Sequence, residues 1–250
     1  MVDSSPFRDA ANVYDALIDW PKRLAHEAGF YRRRFSQASV HRLVDVACGP
    51  GHHAAMFHRW GLEVQGSDVS AEMISQAKHL HGTPEGLQWV VRSFEQPIEA
   101  AEAWDAAICV GNSLALAADH AAVEQVIRRL VAAVRRDGVI VVHVLNLWSF
   151  PDGPCRWQKC FRLTDPGGDR LVIKGVHRAG TRGFVDLLVS TCHDPPTLES
   201  ESIPLLGLEA ADLERCFVRA GCRSFEVWGG YAEQPYQRES STDLIVVARR

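Results

Sequence analysis

The chain has 250 residues, of which 46% are hydrophobic, and its formal net charge is -4. This length and apolar content predict one α/β domain with a sizeable core, and the acidic balance argues against a nucleic-acid partner. The seven cysteines include no Cys-x-x-Cys pair, which predicts reduced thiols in a cytoplasmic protein and no structural metal site. No apolar run reaches the roughly 18 residues of a membrane span, so no membrane partner is expected.

The first 40 residues are predicted to be helical. Val13, Leu17, Trp20 and Leu24 follow a helical spacing, although Pro21 is expected to break the helix. The pattern by itself indicates an amphipathic helix that packs on the rest of the domain.

A glycine-rich turn follows the first predicted strand, residues 43–47. Gly49 and Gly51 lack a Cβ, so the backbone can turn sharply there and a ligand can lie against it. The next strand, residues 62–67, leads into Asp68, where a carboxylate can accept hydrogen bonds from ribose hydroxyls. The sequence therefore predicts a nucleoside-binding half of a doubly wound sheet.

The glycines leave the identity of the nucleoside open. Gly49, Gly51 and Ala54 formally satisfy the dinucleotide fingerprint, so an NAD-dependent oxidoreductase is one alternative. Against it, Asp45 is a charge in a strand that is normally apolar in dinucleotide-binding proteins. Two predicted strands at the C-terminus also suit an added antiparallel hairpin better than a second mononucleotide half.

Predicted strands and helices alternate along the rest of the core. The expected helices are residues 53–60, 71–79 and 121–135, with Gly138 as a helix stop, and the further strands are 87–92, 104–110 and 139–145. This alternation implies an α/β fold, a Rossmann-like seven-stranded mostly parallel sheet with helices on both faces. Proline and glycine punctuate residues 150–205, which predicts an inserted β-meander before the last helix and a C-terminal antiparallel hairpin.

Three motifs give this core a family resemblance. They are Asp45-Val-Ala-Cys-Gly-Pro-Gly51, Gly66-Ser-Asp-Val-Ser-Ala-Glu-Met73 and Ile108-Cys-Val-Gly-Asn-Ser113. The chain resembles the class I S-adenosylmethionine (SAM) methyltransferases, and more narrowly the glycine/sarcosine N-methyltransferase-like group. The similarity reaches both ends of the chain but leaves out residues 155–191.

The resemblance implies a single methyltransferase domain over residues 1–250. Within it, residues 1–40 would form a helical lid and residues 41–148 the SAM-binding core. Residues 150–205 would bind substrate or pair subunits in a homo-oligomer, and residues 206–250 would supply the last helix and the closing hairpin.

The same resemblance assigns the residues that bind SAM as co-substrate. The guanidinium of Arg23 is expected to hold the methionyl carboxylate, because its fork can bond both oxygens. Ser93 and Phe94 are expected beside the adenine. The complete set is Tyr14, Trp20, Arg23, Ala47, Gly49, Gly51, Asp68, Val69, Met73, Ser93, Phe94 and Val110, with no metal.

The expected acceptor residues lie at the ends of the fourth and fifth strands. Asn112 and Asn146 would orient the acceptor, and His143 is a candidate base because it titrates near neutral pH. Leu145 stands where the glycine-methylating relatives carry an arginine that grips the substrate carboxylate, so glycine is not expected. The acceptor is predicted to be a small-molecule amine. The alternatives are an O-methyltransferase of a small metabolite and a non-catalytic SAM-binding protein of the same fold.

Overall fold

The computed structural model describes residue 13 and residues 15–99, 102–165, 168–192 and 195–250. The helices are α1 (Trp20–Gln37), α2 (His52–Arg59), α3 (Ala71–His81), α4 (His120–Ala133) and α5 (Ala210–Arg219). The strands are β1 (Arg42–Val46), β2 (Glu63–Asp68), β3 (Leu87–Val91), β4 (Trp104–Cys109), β5 (Val134–Leu145), β6 (Arg156–Asp165), β7 (Gly168–Ala179), β8 (Arg182–Thr191), β9 (Leu198–Leu206), β10 (Ser224–Trp228) and β11 (Asp243–Arg249).

The larger sheet contains seven strands in the order β10-β11-β5-β4-β1-β2-β3. The strands from β1 to β5 pair in parallel, as the alternation of strands and helices predicts. The last strand, β11, runs in the opposite direction and lies between β5 and β10. The α/β class and the C-terminal antiparallel pair are confirmed. The carboxyl ends of β1, β2, β4 and β5 consequently meet along one edge of the sheet.

Helices cover both faces of the larger sheet. On one face α1, α2 and α3 bury Tyr31, Phe57 and Ile74, and on the other face α4 and α5 bury Leu130 and Phe217. Removing this apolar surface from water is the main favourable contribution to folding. Within the described ranges, no helix is long and apolar enough to cross a membrane.

The helical pattern is interrupted near Pro21, because residues 17–19 are not helical and separate residues 15–16 from α1. The helix begins at Trp20, and the carboxylate of Asp19 caps it by accepting a hydrogen bond from the Lys22 N–H. Pro21 lies in the first turn, where the missing N–H of proline costs no helical hydrogen bond. The proline therefore lies in the first turn of a new helix, and the expected break in the helical pattern is confirmed.

The second sheet contains four antiparallel strands in the order β6-β7-β8-β9, which confirms the meander predicted for residues 150–205. Val176 of β7 and Leu205 of β9 belong to the core on the α4 face of the larger sheet. Val172 of β7 packs against Val13 and Leu17, which precede α1. The meander thus lies against both the larger sheet and the segment that leads into α1.

The junction between α4 and β5 departs from the expected elements. α4 ends at Ala133 and β5 begins at Val134, so Gly138 lies inside a strand and is not a helix stop. A Cβ on Gly138 would lie 2.6 Å from the carbonyl oxygen of Asp105 on β4. The register between β4 and β5 shifts at this point, and the absence of a side chain permits the close approach.

We expect Gly138→Ala to destabilise the fold by about 1–3 kcal/mol, because the new methyl group has to push β4 and β5 apart. Gly29→Ala is the matched control, since the nearest atom to a Cβ there is Arg33 Nη1 at 3.5 Å. In the middle of α1 that change should be neutral or stabilising by up to about 1 kcal/mol. Urea unfolding measures both, and equal stability of the two variants would contradict this account of the junction.

Candidate functional site

The glycine-rich turn after β1 has a backbone that favours glycine. Gly49 has a φ of 54°, Gly51 a φ of 81° and Ala47 a φ of 59°. Residues that carry a Cβ rarely adopt these backbone angles. A Cβ on Gly51 would lie 2.4 Å from the Trp89 ring. The turn therefore lies at the sheet edge with Gly49 partly exposed, whereas Gly51 is buried beside Trp89.

Asp68 ties this turn to the end of β2. One carboxylate oxygen accepts a hydrogen bond from the Gly49 N–H at 2.9 Å, and the other accepts one from the Ser70 N–H at 3.0 Å. Both contacts fix the plane of the carboxylate while leaving lone pairs on each oxygen. The arrangement can accept further hydrogen bonds from a vicinal diol. Val69 is exposed beside it, and Met73 lies in the first turn of α3.

Asp45 lies under the turn, at 1% exposure. Burial raises the pKa of its carboxyl to about 8, and the nearby negative charge of Asp68 adds to the effect. Its Oδ2 atom is buried without a hydrogen-bond partner among the described residues. A cation bound beside Asp45 would stabilise the ionised form, adding to the smaller favourable effect of the Arg23 charge.

α1 contacts the turn through aromatic and charged side chains. The indole of Trp20 stacks on the imidazole of His52, with ring centroids 4.2 Å apart, and its N–H donates to Asp15 at 2.6 Å. Arg23 follows one turn later, and its Nε donates to Glu27 at 2.7 Å. Trp20 and Arg23 therefore lie next to the turn, as predicted, whereas Tyr14 lies outside the described residues.

Glu27 is a site residue that the sequence reasoning missed. Its side chain is 3% exposed and bonds both Arg23 and the ring Nε2 of His53 on α2, each at 2.7 Å. Burial by itself would raise the pKa of Glu27, but the bond from His53 and the charge of Arg23 lower it to about 2. The i,i+4 spacing of Arg23 and Glu27 on a predicted helix was the available signal.

The residues expected beside an adenine lie at the ends of β3 and β4. Ser93 forms a local turn, in which its hydroxyl oxygen accepts the Glu95 N–H and its own N–H donates to Gln96. Phe94 is partly buried against the core of the larger sheet, and Val110 is buried. The place of these residues suits the prediction, although the Ser93 hydroxyl already has a backbone partner.

A cavity of about 280 Å³ opens between α1, the carboxyl edge of the larger sheet and the meander. Polar groups from all three parts converge on it. The cavity is lined by Arg23, His26, Glu27, Gly111, Asn112, His143, Leu145, Gln158, Lys174, Val176, Val185, Tyr231 and Asp243. Two of the three predicted acceptor residues, Asn112 and His143, are among them.

His143 lines the cavity with both ring nitrogens engaged. Its Nδ1 accepts the backbone N–H of Gly111 at 3.1 Å, which fixes the proton on Nε2, and Nε2 donates to Asp243 at 3.0 Å. This tautomer is inferred from the donors and acceptors around the ring. The geometry does not support His143 as a free base, because taking a substrate proton would break one of these bonds.

The two asparagines differ in which side-chain groups they can offer to an acceptor. Asn112 accepts the Leu145 N–H on its Oδ1 at 3.0 Å, so its side-chain NH₂ group remains to donate into the cavity. Asn146 is 0% exposed. Its NH₂ group donates to the carbonyl oxygens of Arg238 and Ser241 at 2.8 and 2.7 Å. Asn146 therefore holds the loop before β11 in place, and an acceptor-orienting role is not supported.

One group of potential metal ligands lies away from the cavity. Cys155, His177 and Asp186 place their ligand atoms within 4.8 Å of one another. Asp186 already accepts hydrogen bonds from His177 at 2.6 Å and from Ser202 at 2.7 Å. These contacts describe a satisfied polar network on the meander, and the expectation of no metal stays a prediction.

The edge of the larger sheet has the chemistry that a nucleoside bearing a cationic tail requires. Asp68 offers fixed acceptor oxygens to a ribose, and Gly49 offers partly exposed backbone without a side chain. The unpartnered oxygen of Asp45 would complement a positive charge. The residues therefore fit SAM, which carries both a sulfonium and an ammonium group.

Known proteins agree with this fit. Residues 43–138 match a family model described as a methyltransferase domain. The chain is 26% identical over 141 residues to a glycine/sarcosine N-methyltransferase of Halorhodospira halochloris, covering 53% of this chain and 50% of that protein. It is 27% identical over 221 residues to a dTDP-3-amino-3,6-dideoxy-alpha-D-glucopyranose N,N-dimethyltransferase of Streptomyces fradiae, covering 85% and 83% of the two chains. This chain thus spans about half the length of the first relative.

Solved structures share the fold over nearly the whole chain. DesVI of Streptomyces venezuelae superposes with a TM-score of 0.75 at 18% identity, covering 96% of this chain and 98% of its own. SAM-bound CalS10, an amino pentose methyltransferase from Micromonospora echinaspora, gives a TM-score of 0.71 at 20% identity, covering 95% and 97%. The family resemblance expected from the sequence is confirmed: residues 43–138 match a methyltransferase domain, and the chain shares the fold of SAM-dependent methyltransferases.

Proposed function

We propose that the protein transfers the methyl group of SAM to the nitrogen of a small amine. The cavity carries this proposal, because it begins at Gly111 and Asn112, directly beside the sheet edge that fits SAM. The names of the relatives support an amine, since they act on glycine, sarcosine or an amino sugar.

The chain's own residues define where the co-substrate would lie. Asp68 would bind the ribose hydroxyls, and the turn at Gly49 and Gly51 would lie against the nucleoside. Arg23 would reach the carboxylate from α1, and Asp45 would face the positive charges. SAM supplies a methyl group that is already activated, because its leaving group is a neutral thioether.

Positioning and exclusion of water are then the main tasks of the protein. The NH₂ group of Asn112 can orient an acceptor at the end of β4. His143, held between Gly111 and Asp243, keeps the floor of the cavity rigid. An amine that arrives in its neutral form needs no base, which agrees with a cavity in which His143 is already committed.

An O-methyltransferase is less consistent with these contacts. A hydroxyl nucleophile has to lose its proton to a base during transfer. Of the two carboxylates that line the cavity, Glu27 is bonded by Arg23 and His53, and Asp243 is bonded by His143. Both groups that could serve as the base are therefore engaged in other contacts.

Leu145 lines the same cavity, so we also propose that glycine is a poor acceptor. Its carboxylate would lose water beside leucine without gaining a partner.

Asp68→Ala is expected to weaken the binding of S-adenosylhomocysteine by at least about tenfold, because charge-assisted hydrogen bonds to the ribose are lost. Glu72→Gln is the control, since it removes an exposed negative charge four residues along the chain. Isothermal titration calorimetry measures both. Equal affinity of Asp68→Ala and the unmodified protein would rule out the ribose assignment.

Asp45 predicts an unusual dependence of stability on pH. Its pKa of about 8 lies above the ordinary value of about 3.9 for an unfolded chain. The folded state therefore loses stability as the pH rises from about 4 to about 8, where only the unfolded carboxyl ionises freely.

Asp45→Asn cannot titrate, so its melting temperature relative to the unmodified protein should rise between about pH 5 and about pH 8. Thermal melts of the ligand-free proteins across this range measure the difference. Parallel curves for the two proteins would show that burial does not hold the Asp45 carboxyl protonated.

Turnover with labelled SAM tests the acceptor class. We expect methylation of primary or secondary amines of sugar size, and little methylation of glycine, sarcosine or phenols. A phenol-only profile would overturn the amine assignment, and efficient methylation of glycine would contradict the role given to Leu145. Binding of S-adenosylhomocysteine without turnover on any acceptor would favour a non-catalytic SAM-binding protein.

A further inference from the structure

We propose that Lys174 forms an oxyanion subsite in the cavity, so that the amine acceptor also carries a carboxylate or phosphate group. This inference rests on the proposed function and adds the substrate class. Three observations support it: the position of Lys174 on the meander, the hydrogen-bond partners of the carboxylates that line the cavity, and the positive charges of Lys159 and Arg23.

Lys174 enters the cavity from β7, on the wall formed by the meander. Lys174 and Val176 lie two residues apart and both line the cavity, as alternation along a strand requires. In the register of the sheet, Lys174 is opposite Lys159 on β6 and Leu187 on β8. The lysine is partly buried, and it occupies a wall that the larger sheet does not provide.

The carboxylates that line the cavity already have hydrogen-bond partners within the chain. Glu27 is bonded by Arg23 and His53, and Asp243 is bonded by His143. For Lys174, no carboxylate within the described ranges lies at ion-pair distance. The ammonium group of Lys174 therefore has no direct ion-pair partner among the described residues of the cavity.

Two positive charges, those of Lys159 and Arg23, act on Lys174. Burial lowers the pKa of Lys174, and the positive charges of Lys159 and Arg23 lower it further. The ammonium of Lys159 donates to the backbone carbonyl of Leu17, so it does not relieve the repulsion. His26 lines the same cavity. A bound anion would offset this repulsion, because it would bring an opposite charge to a partly desolvated site.

The position of the subsite also fits an acceptor that spans the cavity. An amine near Asn112 would lie at the edge of the larger sheet, and its acidic group would extend to Lys174 and the amide of Gln158 on β6. The anion would then be held by the meander and not at the end of β5, where Leu145 offers no partner. The subsite therefore distinguishes two kinds of acceptor. A compact amino acid would need a cation at the position of Leu145, whereas a larger acidic amine can reach Lys174.

Calorimetric titration and thermal melts with inorganic phosphate and with acetate test the subsite, at constant ionic strength and with S-adenosylhomocysteine present. Lys174→Met removes the charge while keeping an unbranched side chain, and Lys174→Arg keeps the charge. Lys78→Met is the matched control, because it makes the same change of net charge on an exposed position of α3. It also accounts for general salt effects on stability.

We expect phosphate or acetate to stabilise the unmodified protein, Lys174→Arg and Lys78→Met. The affinity of Lys174→Met for the same anion should fall by about tenfold or more. Without anion, Lys174→Met should melt at or above the temperature of the unmodified protein, since the repulsion is gone. Phosphate acting more strongly than acetate assigns a phosphorylated acceptor, and the reverse assigns a carboxylate.

Three results would overturn the proposal. They are no response of the unmodified protein to either anion, an equal response of Lys174→Met, and a loss of S-adenosylhomocysteine affinity in Lys174→Met that matches its loss of anion affinity. The last result would assign the lysine to the co-substrate. Failure of the unmodified protein to bind S-adenosylhomocysteine would instead remove the proposed function, which separates the two failures.

Discussion

The hydrogen bond from the Gly49 N–H to the Asp68 carboxylate is the contact on which the rest of the site depends. It joins the ends of two adjacent parallel strands, so the turn after β1 and the acid after β2 keep one geometry. The parallel register places Asp45 opposite Gly66, which brings a second carboxyl under the same turn. The Asp68 carboxylate makes the local potential negative, which suits a ligand with positive charge and helps to keep the Asp45 carboxyl protonated.

Three buried or partly buried titratable groups differ in whether the chain supplies a partner of opposite charge. Glu27 is fully compensated by Arg23 and His53, and it anchors α1 to α2. Asp45 is not compensated, and it stays protonated at neutral pH because its pKa is about 8. Lys174 has no ion-pair partner among the described residues, and the charges of Lys159 and Arg23 oppose its ionisation. A compensated charge holds the structure together, whereas an uncompensated one is stabilised by a ligand of opposite sign.

The sequence predicts the sheet edge better than it predicts the cavity. Gly49, Gly51 and Asp68 follow buried strands, and their position in a parallel sheet determines their neighbourhood. The prediction that Gly138 ends a helix is wrong. A glycine after a helical pattern usually does end one, but a side chain at position 138 is excluded here by a tertiary contact with β4. His143 and Asn146 have the right residue types, but the bonds that commit them come from distant loops and strands. Lys174 gave no signal, since nothing in a meander's local pattern shows which face meets α1.

The two sheets contribute different parts of the site. On the proposed function, the larger sheet supplies the contacts to SAM, and these follow from strand order and the backbone of one turn. The meander supplies the opposite wall of the cavity through Gln158, Lys174 and Val176. Side chains on that wall can change without disturbing the register of the larger sheet, because the two sheets share core residues but no strand pairing. Acceptor choice can therefore vary through the meander while the methyl donor stays the same.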